Sequence, residues 1–219
     1  MKKIAINGFG RIGRVLFRIL VASKQYKVVA INDVANPRIL SHLLKYDSVH
    51  GVFPYPIDYT DNSIVCDGEI THVSNCADIN MIDWKKHDVD VVFECTGLFK
   101  SRSDNLTHIS SGAKKVILSS VPSDHDIQMV VLGVNDSQID FSDQIISNAS
   151  CTTNCAAPMI KLINDFVGIK SAYVTTIHSY TSDQNLHDSI HSDLRRARSA
   201  PNSIIPTTTG AAKALSYIF

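Results

Sequence analysis

The chain has 219 residues, 44% apolar and 19% charged, with 21 basic residues balanced by 21 acidic ones. That length suits one large domain or two small ones, and the balance of charge argues against a fold dominated by a nucleic-acid or membrane surface. No apolar run reaches the roughly 18–20 residues of a membrane span. The basic start Met1-Lys2-Lys3 soon meets glycines and Arg11 rather than the apolar core of a signal peptide. Five cysteines without a secreted pattern point to a reducing, cytoplasmic setting, with no disulfide and no metal site expected.

Lys2 to Asn7 reads as a short buried strand, and Gly8-Phe9-Gly10-Arg11-Ile12-Gly13 follows at once. A helix comes next, with Ile12, Val15, Leu16, Ile19 and Leu20 stepping by three and four along its expected buried face. A second strand, Lys27 to Asn32, leads to Asp33. Strand, glycine turn, helix, strand and acid in this order describe a dinucleotide site. Gly8 allows the tight turn, Gly10 lets backbone approach a pyrophosphate, and Gly13 lets the helix pack on the strand. The helix N-terminus presents free N–H groups to the phosphates. Asp33 would accept hydrogen bonds from the adenosine ribose and repel a 2′-phosphate, which favours NAD over NADP.

Asn36 to Tyr46 is an expected helix with Ile39, Leu40, Leu43 and Leu44 as its stripe, and residues 57 to 73 read as a small hairpin excursion. Strands are then expected at Asp90 to Cys95, Lys115 to Ser119, Met129 to Val134 and Gln144 to Asn148, with a helix at Arg102 to Ser111. Strands alternating with helices imply a parallel, doubly wound sheet, whose ligands sit at the carboxyl ends of its strands. Gly8, Asp33, Thr96-Gly97, Ser119 and Cys151 all follow expected strand ends, so they would line one crevice.

In the second half, Cys151 opens an apolar helical pattern over 151 to 166, with Cys155, Met159, Leu162, Ile163 and Phe166 as its expected buried side and Pro158 as a kink. A thiol at a helix N-terminus is biased towards the thiolate. Ile169 to Ile177 reads as a β-branched strand ending at His178, a base for that thiol. Residues 179 to 203 form a long polar loop, and loops of that length in compact domains are usually functional or disordered. The loop contains Thr181, Asp183, His187, Asp188, His191 and the run Asp193-Leu194-Arg195-Arg196-Ala197-Arg198. Its arginines suit phosphate. Thr207-Thr208-Thr209-Gly210 precedes a last expected helix, Ala211 to Ile218, as a second anion site.

Taken together, four segments resemble the phosphorylating glyceraldehyde-3-phosphate dehydrogenase family along nearly the whole chain. They are residues 5–14, the run Ser147-Asn148-Ala149-Ser150-Cys151-Thr152-Thr153-Asn154-Cys155, residues 193–198 and residues 206–214. The resemblance implies a Rossmann-type NAD-binding domain over 1–150 and the start of an α+β catalytic domain over 151–219. It implies that Cys151 attacks the aldehyde of glyceraldehyde 3-phosphate, that His178 acts as its base, and that inorganic phosphate cleaves the resulting thioester. It assigns Ser150, Thr152, Thr209 and Gly210 to the attacking phosphate, and Thr181, Asp183 and Arg196 to substrate phosphate and ribose. Backbone N–H groups of Arg11 and Ile12 would meet the NAD pyrophosphate, with Ser119 near the nicotinamide. A cytoplasmic homotetramer in glycolysis is the implied setting.

Two positions depart from the family pattern. Ala77 stands where an arginine often approaches the adenine, and Ser189-Ile190 replaces a Leu-Pro or Gly-Pro pair. By the same resemblance the chain is expected to be the N-terminal two thirds of an enzyme, binding NAD weakly or folding poorly alone. An erythrose-4-phosphate dehydrogenase, or a non-catalytic NAD-binding module, is the competing expectation.

Overall fold

Lys2–Asn7 form β1, the strand on which the first of two compact units, Met1–Ser150 and Cys151–Phe219, is built; the computed structural model describes residues 1–219. In chain order the first unit continues with α1 (Arg11–Ser23), β2 (Tyr26–Asn32), α2 (Pro37–Lys45), β3 (Tyr46–Asp47), β4 (Gly51–Val52), β5 (Ile57–Thr60), β6 (Ser63–Cys66) and β7 (Glu69–Ser74). It ends with β8 (Val91–Glu94), α3 (Arg102–Ser110), β9 (Lys115–Leu118), β10 (Gln128–Met129) and β11 (Ile145–Ser147). Nine strands form one sheet in the order β10-β11-β9-β8-β1-β2-β7-β6-β5, parallel from β10 to β7 and antiparallel beyond. The chain leaves β1 to one side through β2 and returns to its other side through β8. That reversal puts the topological switch point at the carboxyl ends of β1 and β8.

Both faces of the sheet are covered, which is why β1 reads as a continuous apolar run rather than an alternation. Ile4 and Ile6 face a core with Phe9, Phe17, Leu20, Leu40 and Leu44, while Ala5 faces a second core with Trp84, Val92, Val116, Leu118 and Ile145. Phe9 and Phe17 meet edge-to-face at 5.6 Å. Asn36 caps α2 by accepting the Ile39 N–H, and α3 carries a capping box between Ser101 and Asp104.

Several local expectations need correction. The buried face of α1 is Gly13, Phe17 and Leu20, with Ile12 and Ile19 turned outward; in α2 it is Pro37, Leu40, Ser41 and Leu44, with Ile39 and Leu43 outward. In each helix the expected stripe was wide, and the sheet covers one edge of it. Residues 57 to 73 are no separate excursion, because β7 pairs in parallel with β2 and so carries β6 and β5 into the main sheet. The strand expected over 129 to 134 stops at Met129, since Asn135 folds back: its side chain donates to the Met129 carbonyl and accepts the Val131 N–H.

The second unit contains α4 (Cys151–Val167) and α5 (Ala211–Leu215), which are in contact. The buried residues of α4 are Thr153, Ala156 and Ala157, whereas Cys155, Met159, Leu162, Ile163 and Phe166 are exposed. Apolar periodicity marks a face that can be buried, and nothing in this chain covers it. The helix runs on through Pro158. Residues 169 to 177 form no strand; every paired strand lies at or before Ser147, so this β-branched stretch has no neighbour to hydrogen-bond. The last helix is shorter than expected, closing in a turn after Leu215.

Candidate active site

At the switch point lies a crevice of about 250 Å³ lined by Asn7, Gly8, Gly10, Asn32, Asp33, Val34, Cys76, Ala77, Cys95, Thr96, Leu98 and Phe99. Gly8 sits at φ +89°, and a Cβ there would stand 2.6 Å from the Thr96 backbone nitrogen. Gly10, the N-cap of α1, has open space where its side chain would be, so its backbone is approachable. Arg11 and Ile12 occupy the first turn of α1, where backbone N–H groups lack intrahelical acceptors. The Arg11 side chain turns away to Asp47, at 3.6 Å.

Asp33 lies just past β2 with its carboxylate held from both sides. Oδ2 accepts the Phe9 N–H at 2.7 Å and Oδ1 the Ala35 N–H at 3.0 Å. Each oxygen keeps a lone pair for a ribose hydroxyl. Gly97 is at φ +72°, and the Ser119 N–H donates to the Glu94 carbonyl, which brings Ser119 to the same end of the sheet. The open N–H groups, the side-chain-free Gly10 and the pinned acid therefore fit a dinucleotide.

Gly13 has the tightest surroundings of the glycines. A Cβ would lie 2.2 Å from the Gly8 carbonyl oxygen, and Gly8 is itself fixed by its N–H bond to Asn32. Gly13→Ala is expected to lift α1 from the turn, costing about 1–3 kcal/mol of stability and weakening NAD binding. Urea titration and calorimetry would check this, and an unchanged midpoint would refute it.

The thiol stands at the start of α4. Between β11 and that helix the chain turns at Ala149, a non-glycine residue at φ +56°, a conformation that costs roughly 1–2 kcal/mol. The Cys151 Sγ lies 3.2 Å from His178 Nε2, and His178 Nδ1 donates to the Ser179 carbonyl at 2.6 Å. A carbonyl only accepts, so Nδ1 carries a proton and Nε2 is the atom that exchanges one with sulfur. Burial raises the Cys151 pKa, but the hydrogen bond from His178, the bonds from the Thr152 hydroxyl and N–H, and the imidazolium charge together bring it below the ordinary thiol value. The His178 pKa is raised, first by the Ser179 carbonyl and then by the sulfur. Both shifts favour a thiolate–imidazolium pair. Burial pushes the Cys66 and Cys95 thiols the other way, up to about 11 and about 12.

The polar loop is folded on itself around Arg196. Its guanidinium donates to the Asp183 carboxylate, to Thr207 Oγ1 at 2.8 Å and to the Thr208 carbonyl at 3.2 Å. Thr181 joins this group, its hydroxyl accepting the Asp183 N–H at 3.4 Å. Thr209 Oγ1 accepts the Ala211 N–H and Gly210 is the N-cap of α5. Thr181, Asp183, Arg196 and the Thr207–Gly210 stretch thus form one cluster. Ser150 closes the first unit with a half-buried side chain. The residues that sequence reasoning passed over are Asn7, Asn32 and Glu94, polar groups buried at strand ends; the two asparagines line the crevice and Glu94 bonds to its Asn7 and Thr96. A charged residue inside an apolar strand was the available signal.

The family model described as glyceraldehyde 3-phosphate dehydrogenase, NAD binding domain, matches residues 2–102, and the C-terminal domain of the same family matches residues 150–219. A glyceraldehyde-3-phosphate dehydrogenase of Priestia megaterium is 48% identical over 217 residues, covering 99% of this chain and 64% of that protein. One of Thermotoga maritima is 49% identical over 220 residues, covering 100% of this chain and 66% of that protein. The chain thus spans less than two thirds of the length of the first of these curated relatives, and both halves of its match carry the same family description. Crevice, thiol pair and matches over both units agree, and the chain belongs to the glyceraldehyde 3-phosphate dehydrogenase family.

Proposed function

We propose that the protein carries out NAD-dependent, phosphorylating oxidation of glyceraldehyde 3-phosphate in glycolysis, and that Cys151 and His178 are its catalytic residues. The observation that carries this reading is the 3.2 Å contact between a thiol of lowered pKa and an imidazole whose other nitrogen is fixed on a carbonyl. The Cys151 thiolate attacks the aldehyde carbon, and the carbonyl oxygen takes the proton from His178 Nε2, giving a thiohemiacetal. Nε2 then accepts the hydroxyl proton as the carbon is oxidised to a thioester. Bound NAD supplies the two-electron acceptor for that oxidation. Attack of a phosphate oxygen on the thioester carbonyl breaks the carbon–sulfur bond, releasing an acyl phosphate and restoring the thiolate.

In this reading Gly8, Gly10, Arg11, Ile12, Gly13, Asp33, Thr96, Gly97 and Ser119 hold the cofactor. Ser150, Thr152, Thr209 and Gly210 receive inorganic phosphate, and Thr181, Asp183 and Arg196 serve substrate phosphate. The Asp183–Arg196–Thr207 cluster supports the last assignment by keeping a guanidinium and a hydroxyl-rich stretch together. Domains at 1–150 and 151–219 carry the two tasks. A cytoplasmic homotetramer is the setting we infer; no helix is long and apolar enough to cross a membrane.

The whole protein is expected to form NADH from glyceraldehyde 3-phosphate in a stoichiometric burst, with sustained turnover only when inorganic phosphate is present. Sustained turnover without phosphate, or preference for erythrose 4-phosphate, would overturn the phosphorylating assignment.

A further inference from the structure

Glu94, at the end of β8, is 1% exposed, and the proposed reaction gives it no part. Its carboxylate accepts from four donors. Oε2 takes Asn7 Nδ2 at 2.6 Å and His108 Nε2 at 3.1 Å, while Oε1 takes the Thr96 N–H at 2.7 Å and the Thr96 hydroxyl. The donors cannot be reversed. The Trp84 indole N–H, which can only donate, bonds His108 Nδ1 at 2.9 Å, so the His108 proton sits on Nε2 and faces Glu94. On the other side, Asn32 Oδ1 accepts the Cys76 N–H and the Ser74 hydroxyl, leaving Asn32 Nδ2 to donate to Asn7 Oδ1. That directs Asn7 Nδ2 at Glu94. Hydrogen bonds converge from both sides on a residue that must accept only.

This wiring ends at the crevice. Asn7, Asn32, Cys76 and Thr96 all line it, and the Gly8 turn packs against the Thr96 backbone at a distance that leaves no room for a Cβ. We infer that Glu94 is a positioning residue for the cofactor: by holding Thr96 and Asn7 at once, it sets the spacing between the two strand ends on which the dinucleotide rests. The inference builds on the crevice being the NAD site.

Glu94→Gln keeps size and shape but replaces one acceptor by a donor. Whichever way the amide is turned, that donor meets either the Thr96 donors or those of Asn7 and His108. NAD affinity of the full chain, measured by calorimetry, is expected to fall about 10-fold, the scale of one hydrogen bond to a charged group lost at a fixed site. Trp84→Phe in the same chain frees His108 Nδ1, so the imidazole can adopt its other tautomer and accept from the new amide. The double variant is therefore expected to regain about three-fold in NAD affinity over Glu94→Gln, although loss of the buried indole keeps its melting temperature below that of the unsubstituted chain. A packing role for Glu94 predicts the opposite, a further loss of affinity in the double variant.

Should Glu94→Gln fail to fold, His108→Leu removes one donor to the carboxylate from outside the crevice and leaves Thr96 and Asn7 in place; affinity is then expected to fall about three-fold. Unchanged affinity in Glu94→Gln, or in His108→Leu where that variant carries the test, overturns the inference, as does further loss in the double variant. Absence of NAD binding by the unsubstituted chain would instead overturn the cofactor reading beneath it.

Discussion

Cys151→Ser is expected to lower the rate of NADH formation from glyceraldehyde 3-phosphate by about six orders of magnitude, the scale seen when the nucleophile of a covalent mechanism is removed. A serine hydroxyl at the same place is not ionised near neutral pH, and the features that lower the thiol's pKa do not bring an alkoxide within reach. The bond from His178, the two from Thr152 and the start of α4 stabilise a sulfur anion. NAD affinity is expected to be unchanged, because the crevice of Asn7, Gly8, Asp33 and Thr96 draws on residues of the first unit. Stopped-flow absorbance would read the burst, and mass spectrometry the acyl adduct. A variant within an order of magnitude of the original rate, or one that still accumulates an adduct, would dispose of Cys151 as nucleophile.

His178→Asn is expected to have the second largest effect, and it separates the base from the nucleophile. Alkylation of Cys151 by iodoacetamide follows the thiolate fraction. With His178 in place the Cys151 pKa is lowered and the His178 pKa raised, so the ion pair is favoured over the neutral pair and thiolate reactivity persists to lower pH. Without the imidazole the largest contribution opposing desolvation is gone, and the pH profile moves upward. At pH 7 alkylation should slow about ten-fold for each unit of that displacement, with the two proteins converging in alkali. Cys66 and Cys95 provide an internal reference, since burial holds both thiols protonated at neutral pH in either protein. A profile that does not move would show that the helix terminus and Thr152 alone activate the sulfur. The same variant should lose proton acceptance from the thiohemiacetal, so its turnover falls even at high pH where the thiolate has returned.

The β1–α1–β2 unit was legible because its signals are local and mutually consistent. Gly8, Gly10 and Gly13 mark backbone conformations and clearances that few other residues tolerate, and Asp33 directly follows a largely buried strand. The observed strand bounds there follow the expected ones closely, with a helix between them. The thiol was legible for a similar reason, as a cysteine at the head of a long apolar helical pattern. Its partner was found in spite of a wrong secondary-structure assignment. His178 was expected at the end of a strand, and it lies instead in a segment without regular structure, held by Ser179 and the sulfur.

What needed the tertiary structure is whatever depends on a partner far along the chain. Periodicity identified apolar stripes on α1, α2 and α4, but which edge of each stripe is buried is decided by the surface laid against it; on α4 the expected side is open. The join of β7 to β2 turned an apparent hairpin into three more strands of the main sheet. The same holds for the buried wiring from Trp84 through His108 to Glu94 and Thr96, whose members come from three separate stretches of the chain. Glycine geometry, an acid at a strand end and a thiol at a helix start are written in consecutive residues, because backbone sterics and helix termini act over a few bonds. The direction of a buried hydrogen bond is not, because it is settled by every group that shares it.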